Sequence, residues 1–202
     1  MSYKAIGFDY GGVICGAPGF ALMQAMADFL TVPVDTLRAV FFTNNHLLNV
    51  EKSMSWVELW QHIAREVNHP EKQSDIARFI DEWDRNQTVS DDMIRLIGEL
   101  RTKGYKIGLL SNYSEGLRER LSDQGIAKYF DVIGISSEMG AMKPEPEAFL
   151  KFCGMLEVRP QELVFIDDTT KSLNSAAAVG YTPVLFRDFA SLQQELVTLG
   201  VV

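Results

Sequence analysis

Four short stretches of this chain carry side chains suited to chemistry, and each leaves an apolar run or opens a loop. The first is Phe8-Asp9-Tyr10-Gly11-Gly12-Val13, an aspartate followed almost at once by two glycines. Leu109-Leu110-Ser111-Asn112 then offers a small hydroxyl and an amide, groups that suit a phosphate oxygen. Lys143 follows within Met142-Lys143-Pro144-Glu145-Pro146, and Phe165-Ile166-Asp167-Asp168 ends on two adjacent acids. Taken singly, the first three read as a turn, a strand-to-helix cap and a solvated loop lysine. The acid pair resists such a reading, because adjacent carboxylates delivered by an apolar run are costly to bring together without a cation. As a set they supply a nucleophile, a hydroxyl, a cation and a metal-binding acid pair. That combination matches phosphoryl transfer through an aspartyl intermediate, where catalysis is mostly positioning and charge neutralisation.

The elements that must position these groups are legible in the apolar pattern. Residues 4–9, 105–111, 163–167 and 181–186 read as strands, with 131–135 a weaker fifth. Amphipathic stretches at 91–103, 114–124, 144–156 and 172–179 lie between them. Near-continuous apolar strands alternating with helices predict an α/β fold, a Rossmann-like parallel sheet covered on both faces. Ligands in such sheets bind at the carboxyl ends of the strands, where Asp9, Ser111 and Asp167 fall. From Cys15 to Thr88 the alternation stops, and only helical segments near 19–30, 33–42, 55–67 and 71–84 are visible. Pro33 and Pro70 sit at helix starts, and Ser55 with Glu58 forms a capping box. The expected organisation is a catalytic core of residues 1–14 and 89–202 with a helical module inserted at 15–88.

Composition narrows the function. The chain has 202 residues, 47% apolar and 23% charged, which fits a folded globular protein. Nineteen basic against 27 acidic residues give a net charge of −8, unsuited to a nucleic acid or an acidic membrane surface. A small phosphorylated ligand remains compatible, since one cation and a few amides hold it. Cys15 and Cys153 are too few for a disulfide framework and read as buried thiols. No apolar run approaches the roughly 18 residues of a membrane span, and the opening Met-Ser-Tyr-Lys leaves no room for a signal peptide. The expectation is a soluble cytoplasmic protein, monomeric or dimeric.

The ordered set FDYGGV, LLSN, KPEPEAF and VFIDD, with a helical insert after the first motif, resembles the haloacid dehalogenase-like hydrolase superfamily. The resemblance covers essentially the whole chain and implies a Mg²⁺-dependent phosphatase acting on a small phosphorylated metabolite. It implies Asp9 as nucleophile and metal ligand, the Gly11 carbonyl and Asp168 as further ligands, and Asp167 assisting. Ser111, Asn112 and Lys143 are implied to hold the transferring phosphoryl group, with Tyr10 and Gly11 beside them. Ser172 stands where the family commonly has an asparagine, which implies altered local hydrogen bonding.

One departure matters more. Most phosphatases of the family carry a second aspartate where this chain has Gly11, and that aspartate is the general acid/base. General acid–base help is typically worth about 10²–10⁴-fold. The chain is then expected to favour good leaving groups, such as anomeric sugar, acyl or aryl phosphates, or to take a proton from Glu51 or His46 in the insert. Two alternatives stay open: a dehalogenase, which needs no protonated leaving group, and a phosphate-binding regulator with weak turnover. The acid pair speaks against the first, because dehalogenases of the family need no magnesium and lack it. The insert is expected to close over the strand ends and choose the leaving group through its loops at 15–20 and 44–51. Phe20, Phe41, Phe42, Trp56, Trp60 and Trp83 are candidates for a pocket lining or for the insert's own core.

Overall fold

The computed structural model describes residues 3–16, 21–49, 54–113 and 116–202. Glu51 and Phe20 therefore lie outside the described residues. Five strands form one parallel sheet: β1 (Ala5–Phe8), β2 (Lys106–Ser111), β3 (Val132–Ile135), β4 (Leu163–Asp167) and β5 (Thr182–Leu185). Their order is β3-β2-β1-β4-β5, with the first strand in the middle. Phe8 pairs with Leu109 on one side and Ile166 on the other, so Asp9 leaves the sheet between the ends of β2 and β4. The Asp9 amide still donates to the Ile166 carbonyl at 2.9 Å, which fixes where its side chain begins.

Helices between the strands cover both faces, as a parallel sheet requires. On one face α6 (Asp91–Thr102), α7 (Leu117–Asp123) and α11 (Phe189–Thr198) contribute Leu96, Ile97, Leu121 and Leu192 to a cluster with Ile6, Phe8 and Leu109. On the other, α9 (Pro146–Leu156) and the short α10 (Ala176–Val179) bury Phe149, Phe152 and Leu156 against Phe165. The close approach of α9 depends on strand glycines. A Cβ at Gly108 would stand 2.4 Å from the Phe152 ring, and one at Gly7 would stand 2.8 Å from the same ring.

The remaining helices are α1 (Ala21–Leu30), α2 (Val34–Asn44), α3 (His46–Asn49), α4 (Trp56–Glu66), α5 (Gln73–Arg85) and, following β3, α8 (Ser136–Met139). Of these α1–α5 bury a cluster of their own, built on Met26, Leu30, Leu37, Leu59, Trp60 and Ile63. Ser55 caps α4 as the spacing predicts: its hydroxyl accepts from the Glu58 amide and its amide donates to the Glu58 carboxylate. The chain enters and leaves this helical module along two extended segments bridged to each other. Ser90 donates to the Ile14 carbonyl at 2.9 Å, Gly16 donates to Thr88 at 3.1 Å, and Cys15 bridges Val89 antiparallel. Cys15 and Val89 pack with the sheet's cluster, not with the module's. Among the described residues no helix is long and apolar enough to cross a membrane.

The strand expectations match to within a residue or two at each end. One helical expectation differs, and α3, α8 and α11 lie where no helix is expected. The stretch 172–179 is helical only from Ala176, because residues 169–175 form turns about the acid pair. The amphipathic α11 was not anticipated, although Asp188 caps it by accepting from the Ser191 amide at 2.8 Å.

Filling the space at Gly108 tests the α9 approach. Gly108→Ala should destabilise the fold by about 1–3 kcal/mol, the usual cost of overpacking. Urea unfolding should show part of that loss restored when Phe152→Leu is added, since the two positions share one contact.

Candidate functional site

The strand ends bring three carboxylates and one ammonium together. Lys143 Nζ lies 3.0 Å from Asp9 Oδ1 and 2.5 Å from Asp167 Oδ2. The side chains of Lys143 and Asp167 are essentially inaccessible, and that of Asp9 keeps 14% exposure. Buried charges survive only when paired and hydrogen-bonded, and these are. The Lys143 main chain is clamped to Asn112: the lysine amide donates to Asn112 Oδ1 and Asn112 Nδ2 donates to the lysine carbonyl, both at 2.8 Å. Asp167 is fixed from its other oxygen, which accepts from the Thr169 amide at 2.9 Å and the Thr169 hydroxyl at 2.8 Å. Ser172 Oγ stands 2.7 Å from Thr169 Oγ1, so the serine holds the residue that holds Asp167.

Asp9, Asp167 and Asp168 each present an oxygen within 4.8 Å of the others. Burial pushes the Asp9 carboxyl up to about 7; Asp167 and Asp168 add to the rise, and Lys143 opposes it. Lys143 itself is held above the ordinary lysine range by Asp167 and Asp9, against the effect of its own burial. One ammonium offsets one of three carboxylates, and the remaining two negative charges equal one divalent cation. Hard oxygen donors in a compact, partly buried group suit Mg²⁺. The adjoining turn is closed by amides of Ile14 and Cys15 donating to the Tyr10 carbonyl and of Gly12 donating to the Cys15 carbonyl. None of these bonds uses the carbonyl of Gly11.

A cavity of about 480 Å³ opens from this cluster toward the helical module. Asp9, Gly11, Ser111, Asn112, Lys143 and Asp168 line its sheet side, with Ser111 buried at the end of β2. Phe41, Phe42, Trp56, Trp60 and Trp83 line its module side, with exposed His46 among them. The aromatics serve both expected roles, since Phe41 and Trp60 also belong to the buried cluster of α1–α5.

Tyr10 lines the same cavity beside Asp9 and Gly11. Its ring is 3% exposed, its hydroxyl donates to Gln124 Oε1 and accepts from Arg120 Nε, both at 2.9 Å, and Tyr113 packs edge-on against it. The phenol is thus engaged by Arg120 and Gln124, and the Tyr10 main-chain amide donates to Asp9 Oδ1 at 2.7 Å. Arg120 also lies 3.3 Å from Asp84 at the end of α5, tying α7 to the module. Arg120, Thr169, Lys171 and the Trp60 indole were not singled out by chemistry in the sequence. Arg120 lies on an amphipathic helix whose charges read as a solvated face, and Thr169 looks like any loop hydroxyl. Both cysteines are buried, as expected, and burial pushes the Cys153 thiol up to about 11.

The sheet thus brings together an aspartate leaving its central strand, an acid pair on the neighbouring strand and a lysine between them. The profile of the haloacid dehalogenase-like hydrolases matches residues 3–180, and the chain belongs to that family. It is 24% identical over 214 residues to bifunctional epoxide hydrolase 2 of Rattus norvegicus, covering 97% of this chain but only 38% of that protein. It is 25% identical over 200 residues to the phosphoglycolate phosphatase of Salmonella typhimurium (strain LT2), covering 89% of this chain and 79% of that protein. Among solved structures, a dehalogenase superposes with a TM-score of 0.67 at 18% identity, over 91% of this chain and 84% of that one. That last likeness is one of fold.

The charge count at the cluster predicts a divalent-cation response that needs no turnover. Mg²⁺ should raise the thermal midpoint, with about 2.7 kcal/mol of stabilisation at a hundredfold excess over Kd. Asp168→Asn should flatten the response in differential scanning fluorimetry. A wild-type midpoint indifferent to Mg²⁺ would remove the metal assignment.

Proposed function

We propose that this chain is a Mg²⁺-dependent phosphatase that hydrolyses a small phosphomonoester through an aspartyl-phosphate on Asp9. The observation that carries the reading is the buried Asp9–Lys143–Asp167 arrangement beside Asp168 at one rim of the sheet. Phosphoglycolate phosphatase activity in a relative supports it. The carboxylate cluster also favours it over carbon–halogen hydrolysis, which has no phosphoryl charge to neutralise.

In this reading an Asp9 carboxylate oxygen attacks phosphorus while the bond to the leaving oxygen breaks. Lys143, held rigidly by Asn112, neutralises charge on the transferring oxygens, and the Ser111 hydroxyl and Asn112 amide donate to them. Water then attacks the acyl phosphate, which releases inorganic phosphate and restores Asp9. Asp9, Asp168 and the Gly11 carbonyl, with Asp167 assisting, would hold Mg²⁺, which would supply further charge neutralisation. The helical module of residues 15–88 acts as a cap on the core of 1–14 and 89–202, shielding the site from water and selecting the leaving group.

Gly11 leaves the leaving oxygen without the usual proton donor. A Cβ built at Gly11 meets no heavy atom within 4 Å, and its backbone lies outside the left-handed region, so a side chain fits there. Gly11→Asp is expected to raise kcat on an alkyl phosphate such as glycerol 3-phosphate by up to about 10²-fold, the lower bound of general acid–base help. Aryl phosphates, whose leaving groups need little protonation, should gain much less. Asp9→Asn should reduce phosphate release to background on every substrate. A wild-type protein that hydrolyses no phosphomonoester with Mg²⁺ present would overturn the reading.

A further inference from the structure

Places far apart in the sequence meet at the C-terminal end of α7. Arg120 and Gln124, one helical turn apart, both hold the Tyr10 hydroxyl. Arg120 Nε donates to it, and it donates to Gln124 Oε1, each at 2.9 Å. The same guanidinium reaches the last turn of α5, where its terminal nitrogens meet the Asp84 carboxylate and the Asp84 carbonyl at 3.3 Å. Gln124 Nε2 in turn donates to the Cys15 sulfur at 3.8 Å, on the segment by which the chain enters the helical module. Two side chains thus connect the Tyr10 phenol to both ends of the module.

Tyr10 is also the residue that aims Asp9. Its amide donates to Asp9 Oδ1 at 2.7 Å, the oxygen that Lys143 Nζ approaches at 3.0 Å. The Tyr10 carbonyl is fixed as well, accepting from the amides of Ile14 and Cys15 at 2.9 Å. With ring and main chain both held, the Tyr10 amide has a set direction, and so has the carboxylate that accepts from it. A phenylalanine would fill the same buried space without a hydroxyl to desolvate. An ion pair alone would tie α5 to α7. Neither packing nor that tie requires the guanidinium to sit on a buried phenol beside the reactive acid.

We propose that Arg120 is a positioning residue, carrying the seat of α5 through the Tyr10 phenol to the aim of the Asp9 carboxylate. This role rests on the phosphatase reading for the reaction at Asp9. Attack on phosphorus is sensitive to direction, and a misplacement of about an ångström costs up to ~10²-fold. Arginine suits the task because its planar fork serves two partners at once, which the point charge of a lysine does not.

Trifluoroberyllate tests the aim of Asp9 without turnover. In Mg²⁺ buffer a carboxylate oxygen bonds to beryllium as it would to phosphorus, and fluorine NMR reads the bound signal. The wild type should give an adduct that Asp9→Asn abolishes. Arg120→Met, Arg120→Lys and Tyr10→Phe should each weaken it at least about tenfold, within the range that misdirection costs. Tyr10→Phe keeps the ring, so it reports even where a change at Arg120 lowers the thermal midpoint. Asp84→Asn acts on the same path from its far end: alone it should weaken the adduct, and added to Tyr10→Phe it should cause no further loss. With 4-nitrophenyl phosphate the same variants should lose kcat at unchanged KM. Unchanged adduct affinity in any of the four single variants at Arg120, Tyr10 and Asp84 overturns the proposal, because Arg120 then only holds α7 to α5. So do losses that multiply in the double variant, a rise in KM at constant kcat, or a wild type with no adduct at Asp9. A wild type that forms the adduct yet releases no phosphate from any monoester fails the phosphatase reading alone.

Discussion

The ion triad of Asp9, Lys143 and Asp167 is the constraint that the rest of the molecule serves. A fully buried ammonium is tolerable only while both carboxylates stay within hydrogen-bond reach, and those acids come from positions more than 150 residues apart. The sheet order solves this by placing β1 between β2 and β4, so the two acids emerge side by side. Asn112 then fixes the loop that delivers the lysine, and Thr169 fixes the second acid from its far oxygen. Removing any of these partners leaves a charge stranded in the interior. In the proposed reaction the same groups that hold the strand ends together also form the reactive centre, and stability and chemistry are then not separable there.

Much of this was legible before any coordinates. The strand ends announced themselves because an apolar run can stop on an aspartate or serine only where the chain reaches a polar rim, and Asp9, Ser111 and Asp167 all converge there. What the sequence could not reveal were contacts made across long separations. Nothing local says that the Asn112 side chain serves Lys143, or that the Tyr10 ring turns toward Arg120 and Gln124, over a hundred residues away. The mistaken helix start at Ser172 has a similar cause. Its pattern is helical, but Thr169 and Ser172 are drawn into the hydrogen bonds around Asp167, and the helix begins only after them.

The module wall divides its duties more evenly than the sequence suggested. Phe41 and Trp60 are core residues of a small helical bundle and also line the cavity. A substitution at either position alters folding and ligand fit together. Gly11 lies at the opposite extreme: it is bordered by open space, so its chemistry can change with little structural penalty. Within one cavity, reactivity and selectivity are therefore open to change to very different degrees.

The bridged segments joining the module to the sheet have a mechanical consequence. Residues 14–16 and 88–90 are cross-linked by main-chain hydrogen bonds, so the two connections behave as one ribbon. A ribbon bends easily across its flat face but resists twisting and sliding, because either would break its cross-links. The module is thereby joined to the sheet through one cross-linked connection, and Arg120 reaching Asp84 adds a second tie between α7 and α5. The aromatic wall and the three carboxylates are thus held to one another at two separate points, the cross-linked connection and the Arg120–Asp84 pair.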